Sequence, residues 1–374
     1  MLATFRKILL VIALLSPLLV LVGLWGGRYF IKPKKLHVLL IDKMRLDEKE
    51  SQKRSFFWVL NHDRYVKSTG SSYDYGDYVG FHRLDNGQYR HNSLQRLSVE
   101  RVGYIASQMD AVYYKGTYQA FEQSSGHFPA WENNMTDKDY LLLKTLKQQN
   151  KLVVNEFPMF HAYKKAYLRQ SFEHEFGVAW TGWVGKYYES LDTLKTDMPA
   201  WIWRSYVSRG GSWNFRKPGV VLIHQNGDVE VLESGKDLRS KPVIHTNQYG
   251  VKQLGMIKKI TYPNWFEVVS TASDKMHVVS AYELPVSKSG KLKLGNKNIP
   301  TSFPAVLMSK DGLEYYFSGN FSELGVSKNA SLFLGGANLN LMFDGNEANF
   351  FFCKFYYPLV SNVFARYYSG IINN

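Results

Sequence analysis

Leu36-His37-Val38-Leu39-Leu40-Ile41-Asp42, Asp110-Ala111-Val112-Tyr113-Tyr114-Lys115-Gly116-Thr117 and Lys151-Leu152-Val153-Val154-Asn155-Glu156-Phe157 decide the fold. Leu36 to Asp42, Met109 to Tyr114 and Lys151 to Asn155 are short apolar runs, the first ending in an acid and the others followed by Lys115-Gly116-Thr117 and Glu156-Phe157-Pro158. A run apolar on both faces reads as a buried strand, since a half-exposed strand would alternate. Helical patterns lie between the runs. Ser55 to Leu60 reads as a helix ending at Asn61-His62. Thr136-Asp137-Lys138-Asp139 opens another, through Gln149, because the Thr136 hydroxyl can accept from the free amide of Asp139. A third covers about Ala166 to Phe176. Strand and helix alternating over short connections predict an α/β protein with a parallel, doubly wound sheet. The Ser-, Asp-, Tyr- and Gly-rich stretch from Lys67 to Gly87 reads as an exposed loop.

The second half changes character. Gly219 to His224 and Asp228 to Leu232 flank Gln225-Asn226-Gly227, an Asn-Gly turn that predicts a hairpin. Trp265 to Ser270 and His277 to Tyr282 read as further strands. Pro304 to Met308 and Glu314 to Phe317 flank Lys310-Asp311-Gly312 as a second hairpin. The antiparallel-rich part is expected at about 215–320. The aromatic end, Asn349 to about Ile371, reads as a helix interrupted near Pro358.

The N-terminus predicts a membrane anchor. After a tail at 1–7, Ile8 to Trp25 is an apolar run broken only by Ser16, Pro17 and Gly23, and Gly26 and Gly27 extend it without charge. A helix at 8–27 has about the ~20 residues needed to cross the hydrocarbon layer. No A-x-A-like cleavage site follows, and Trp25, Tyr29 and Phe30 suit the membrane interface. Residues 28–35 read as a basic tether, and 36–374 as the globular domain, expected on the extracytoplasmic side. The lipid bilayer is thus one expected partner.

The chain carries 46 Lys and Arg against 32 Asp and Glu, a net charge of +14, yet these are scattered, so no nucleic-acid stripe emerges. A single cysteine, Cys353, excludes an internal disulfide and any multi-cysteine metal site. No metal or other cofactor is expected: Glu173-His174-Glu175 with His161 lacks the H-E-x-x-H order.

The strand at Leu36, Asp110 to Thr117, Lys151 to Phe157, Phe303 to Leu307 and Tyr315 to Asn320 together resemble class I glutamine amidotransferase-like domains, as carried by membrane-anchored bacterial proteins. The likeness spans most of Leu36 to Tyr368 and rests on strand ends and turns. It implies a flavodoxin-like parallel sheet with an antiparallel addition. It does not carry the activity over. Cys353 sits in Phe351-Phe352-Cys353-Lys354-Phe355, without the Gly-flanked elbow and paired His of a working amidotransferase.

In a doubly wound sheet, ligands collect beyond the carboxyl ends of the strands. Asp42, Lys115, Thr117 and Glu156 fall there and are the expected ligand-binding residues, with Trp180 and Trp183 as a roof. Those two belong to a tryptophan-rich stretch that continues through Trp201, Trp203 and Trp213, readable as a sugar-stacking platform or as a small aromatic core. The functional expectation is a non-catalytic envelope protein that binds or organises a ligand, foremost a polysaccharide. The alternatives are a glycan hydrolase acting through Asp42 and Glu156, and a structural partner of another membrane complex; another envelope protein is the alternative partner to a polysaccharide.

Overall fold

A computed structural model describes residues 2–43, 51–83, 89–116, 135–157, 166–272, 274–322 and 328–373, with the side chains of 2–14, 51–54, 83, 89, 328, 343 and 373 outside that description. The first half runs α1 (Leu2–Gly27), β1 (Lys34–Lys35), β2 (Val38–Asp42), α2 (Ser51–His62), β3 (Tyr65–Val66), β4 (Tyr78–Arg83), β5 (Tyr89–His91), α3 (Val99–Gln108), β6 (Ala111–Lys115), α4 (Asp137–Gln148), β7 (Leu152–Glu156) and α5 (Ala166–Phe176). The next part runs β8 (Val178–Tyr188), α6 (Ala200–Ser208), β9 (Gly219–His224), β10 (Val229–Glu233), β11 (Val243–Thr246), α7 (Gln248–Gln253), β12 (Lys259–Thr261), β13 (Phe266–Thr271) and β14 (Met276–Glu283). The chain closes with α8 (Lys288–Asn296), β15 (Ser302–Ser309), β16 (Glu314–Phe317), α9 (Gly336–Phe343), α10 (Glu347–Phe351) and α11 (Tyr357–Asn373).

The expected mixed α/β architecture is present. A ten-stranded sheet has the order β12-β11-β14-β15-β16-β7-β6-β2-β4-β5. Its centre, β4-β2-β6-β7-β16, is parallel throughout. In chain order these strands are the second, first, third, fourth and fifth. The sequence direction reverses between β2 and β6, and that reversal is the topological switch point. Antiparallel strands extend both edges. A second sheet, β10-β9-β8-β13, is antiparallel.

The antiparallel strands on the β12 side and the whole second sheet lie between the fourth and fifth parallel strands in chain order, starting with β8 at Val178 and so well before 215. The Asn-Gly hairpin forms as β9 and β10, with Gly227 at positive φ. The second hairpin also forms, but its return strand β16 pairs antiparallel with β15 and parallel with β7. It therefore completes the parallel sheet.

The expected loop at 67–87 contains β4. This strand escaped because it pairs with β2 over only Leu40↔Tyr78 to Asp42↔Gly80 and carries Gly80, His82 and Arg83, so it shows no continuous apolar run. Gly80 has φ +150°, and a Cβ there would collide with the Asp42 carbonyl oxygen. Only glycine lets β4 come this close to the tip of β2.

Alternation along each strand divides the core. Val38, Leu40, Tyr113, Val154 and Phe317 pack under α2 and the C-terminal helices, meeting Phe56, Trp58, Phe355, Tyr356 and Phe364. Ile41, Val112, Tyr114, Val153 and Tyr316 pack under α3, α4 and α5, meeting Val102, Leu142, Leu146 and Phe172. The C-terminal interruption is a π-helical stretch at Phe352–Tyr356, in which the Tyr357 amide donates to the Phe352 carbonyl. Pro358 follows and has no amide to give. The widened turn leaves Phe352, Cys353, Phe355 and Tyr356 all buried.

At the N-terminus α1 is 26 residues long. Among the described residues, however, no helix is long and apolar enough to cross a membrane. The structure thus gives the expected membrane helix at 8–27 no support; that expectation rests on the sequence, Ile8 to Leu14 having no described side chains. Residues 28–35 are also less loose than a tether. The Arg28 guanidinium donates to the Ser331 carbonyl at 2.7 Å and to the Asn61 carbonyl, and β1 pairs in parallel with β3.

Candidate functional site

Cα register brings three of the expected site residues into one row. Asp42 on β2 faces Lys115 on β6, and Lys115 faces Glu156 on β7. Residues opposed in this way share a sheet face, here the one covered by α2 and the C-terminal helices. The row closes the carboxyl ends of the parallel strands and straddles the switch point. All three are sealed: relative exposures are 1% for Asp42, 1% for Lys115 and 0% for Glu156. Thr117 lies outside the described residues.

Glu156 is the centre of the row. Its Oε1 accepts from the Ser322 amide at 2.8 Å and lies 4.0 Å from Lys115 Nζ. Its Oε2 accepts from the Tyr113 hydroxyl, which in turn accepts from the Tyr356 hydroxyl at 3.2 Å. Lys115 Nζ donates to Ser322 Oγ at 2.8 Å. Burial pushes the Glu156 carboxyl up, against the opposing pull of Lys115 and of the bonds from Ser322 and Tyr113. The π-helical turn delivers Tyr356, and the chain after β16 delivers Ser322. One carboxylate thus ties the sheet to two segments distant in sequence.

A second buried ion pair joins Lys43, just past β2, to Asp139 in the first turn of α4. Asp139 also accepts from the Thr136 amide at 2.7 Å and the Thr136 hydroxyl at 2.8 Å, while the Asp139 amide donates to Thr136 Oγ1 at 3.2 Å. This is the expected N-cap of α4 in its full reciprocal form. The cap is legible in the sequence and the burial of Lys43 is not, because nothing local marks a lysine as fully buried.

Trp180 and Trp183 do not join the row. Both lie in β8 of the second sheet, and both are buried. Trp180 Nε1 donates to the Trp183 carbonyl at 2.8 Å, and Trp183 packs near His224 with ring centroids 4.9 Å apart. Their side chains belong to different halves of the core, so they form no common platform.

The later part of the tryptophan-rich stretch is more open. Trp201, Trp203, Tyr206, Trp213 and Phe215 are half-buried over α6 and the chain after it. Tyr206, Trp213 and Phe215 meet edge to face, with centroids 5.2 to 5.7 Å apart. The Arg204 guanidinium lies 5.3 Å from the Trp203 ring centre and is exposed. Arg209 and Arg216 are exposed too, paired with Asp228 at 2.8 Å and Asp192 at 2.7 Å. Tyr206 and Phe215 do not stand out in the sequence, because their neighbourhood with Trp213 is made by the turn at 209–210.

Cys353 Sγ is buried, donates to the Ala337 carbonyl at 3.1 Å, and burial pushes its thiol up to about 11. That is the opposite of an activated nucleophile. Among the described residues no group of His, Cys, Asp and Glu could hold a metal ion. Glu173 is occupied by Arg169 at 2.9 Å and by the Trp180 amide at 3.2 Å, and His161 lies outside the described residues.

No family model and no curated protein matches this chain. The candidate places are a sealed ionic row at the strand ends and the half-buried aromatic residues on and after α6, with exposed arginines nearby.

Proposed function

We propose that the chain is a membrane-anchored, non-catalytic protein of the cell envelope that binds an anionic polysaccharide. The observation that carries this reading is the half-buried cluster of Tyr206, Trp213 and Phe215, with half-buried Trp201 and Trp203 on α6 and the exposed Arg204 beside Trp203. Aromatic faces give a sugar ring apolar contact at low conformational cost. An arginine beside them meets a uronate or sulfate through charge-assisted hydrogen bonds. The chain's net charge of +14 favours encounter with an acidic polymer.

The anchor rests on the apolar run Ile8 to Trp25, with the interfacial aromatics and lysines that follow it. The parallel strand order, second-first-third-fourth-fifth, supports a flavodoxin-like core, the fold that the amidotransferase-like resemblance implies. Both Glu156 oxygens already accept hydrogen bonds inside the protein. Its burial weighs against a hydrolase that would share Glu156 and Asp42 with a glycosidic bond. The same burial favours a second reading, in which the domain is a rigid structural partner of another envelope protein.

The test is a tryptophan-fluorescence titration of the full chain with acidic and neutral oligosaccharides of equal length. Binding of the acidic series, weakened by Trp203→Ala and by Arg204→Ala, supports the reading. A response to neither series removes it and leaves the structural partner.

A further inference from the structure

The end of α1 is fastened to a segment some three hundred residues away. The Leu334 amide donates to the Leu24 carbonyl at 3.0 Å, and Arg28 donates to the Ser331 carbonyl at 2.7 Å. The fit is close: a Cβ on Gly27 would meet Leu334 Cδ1 at 2.6 Å. Arg64 adds a clamp from below, donating to the Arg28 carbonyl at 2.8 Å. Backbone-directed bonds of this kind fix both the height and the direction at which α1 leaves the domain.

Around this junction the surface is apolar in a way a water-facing surface rarely is. Phe30 is 91% exposed, and Trp25 and Tyr29 are exposed and packed edge to face at 5.2 Å. Leu332, beside the Ser331 carbonyl that holds Arg28, is 44% exposed, and Phe333 and Leu334 are half-buried. Exposed Leu18, Leu19, Val20 and Val22 continue the apolar surface up α1. Lys32 and Lys35 are exposed just past the aromatic residues. An apolar surface, then aromatic rings, then lysines is the order in which a bilayer presents hydrocarbon, interface and anionic headgroups.

We infer that the segment around Leu332 is a second membrane contact, which lays the domain against the bilayer in one fixed orientation. The inference rests on the reading of α1 as a membrane helix. The occupant of the apolar collar is the lipid interface at the point where α1 emerges. The domain would not sway on a tether, and its ligand surface would keep a constant height above the membrane.

Single cysteines in a Cys353→Ser background, placed at Leu332, at Leu19 in α1, and at the exposed controls Leu194 and Leu292, carry an environment-sensitive fluorophore. The full chain is reconstituted in phosphatidylcholine–phosphatidylglycerol vesicles whose acyl chains are brominated near the headgroup. The expected result is a blue shift and loss of emission at Leu332 and at Leu19, with neither at Leu194 or Leu292. Quenching at Leu19 with a water-like signal at Leu332 overturns the second contact and leaves the anchor standing. A blue shift at Leu332 without quenching means that protein, such as a second copy, covers the collar, and also overturns it. Water-like emission at Leu19 overturns the anchor and the inference with it.

Discussion

Replacing Lys115 by methionine removes the cation of the ionic row, together with its bond to Ser322 Oγ, while the stem nearly keeps its volume. Glu156 then keeps its bonds from Ser322 and Tyr113 but loses the cation 4.0 Å from Oε1. At an effective dielectric constant of about 20, two charges 4 Å apart interact by about 4 kcal/mol. Loss of one member of a buried pair costs about 3–5 kcal/mol. The carboxyl has an escape, which is to take up a proton. From an unfolded value of about 4.3, neutralising it at pH 7 costs about 3.7 kcal/mol at about 1.36 kcal/mol per unit. The penalty should therefore be about 3–4 kcal/mol near neutral pH and shrink as pH falls.

The sign follows from the direction of the shift. Glu156 already stands raised by burial, and removing Lys115 raises it further. A raised carboxyl favours the folded state most when protonated in both states, below the unfolded value. That contribution is lost as pH rises toward the folded value. Urea unfolding of the full chain in detergent at pH 5 and pH 7.5 measures it. Lys115→Met should lose stability relative to the parent between those points. Lys115→Met combined with Glu156→Gln should lose much less, since it removes the pair together. A cost below about 1 kcal/mol for Lys115→Met that does not change with pH would refute an ionic row, given the 3–5 kcal/mol expected for a broken buried pair.

Three further outcomes follow from the same geometry. Cys353, with its thiol pushed up to about 11, should react with iodoacetamide far more slowly at pH 7.5 than after unfolding in urea; equal rates would mean the sulfur is accessible. Gly80→Ala should destabilise by at least the ~1–3 kcal/mol of a strained backbone, because its Cβ meets the Asp42 carbonyl, and a neutral result in urea unfolding would show that β4 does not approach β2 as described. Thr136→Ala should cost about 1–2 kcal/mol through the lost cap, read by thermal unfolding, with Thr136→Ser recovering most of it.

The parallel strands whose neighbours bury both faces were legible as runs, and β2, β6 and β7 lie within a residue or two of where their apolar stretches put them. The α4 cap was legible because its chemistry is local to Thr136 and Asp139. β4 was not, because its short pairings with β2 and β5 and a glycine forced by packing leave the pattern of a loop. The role of β16 was hidden as well. A hairpin signal fixes the partner on one side and says nothing of the parallel partner on the other. For the site, strand ends named Asp42, Lys115 and Glu156 as a group, and register aligns them. Their burial depends on Tyr356 and Ser322, which the sequence places far away. The tryptophans divided for a similar reason. Both faces of β8 are covered, so alternation buries Trp180 and Trp183 in opposite halves of the core, whereas α6 leaves its aromatic residues half open.

Calorimetric titration of the full chain, reconstituted in lipid nanodiscs, with an oligouronate tests the central claim most directly. The account predicts saturable binding that weakens with added salt, no release of new reducing ends, and about a five-fold loss of affinity in Trp203→Ala, the equivalent of ~1 kcal/mol for one aromatic contact. Absence of binding at low salt, or binding indifferent to Trp203→Ala and Arg204→Ala, would contradict it.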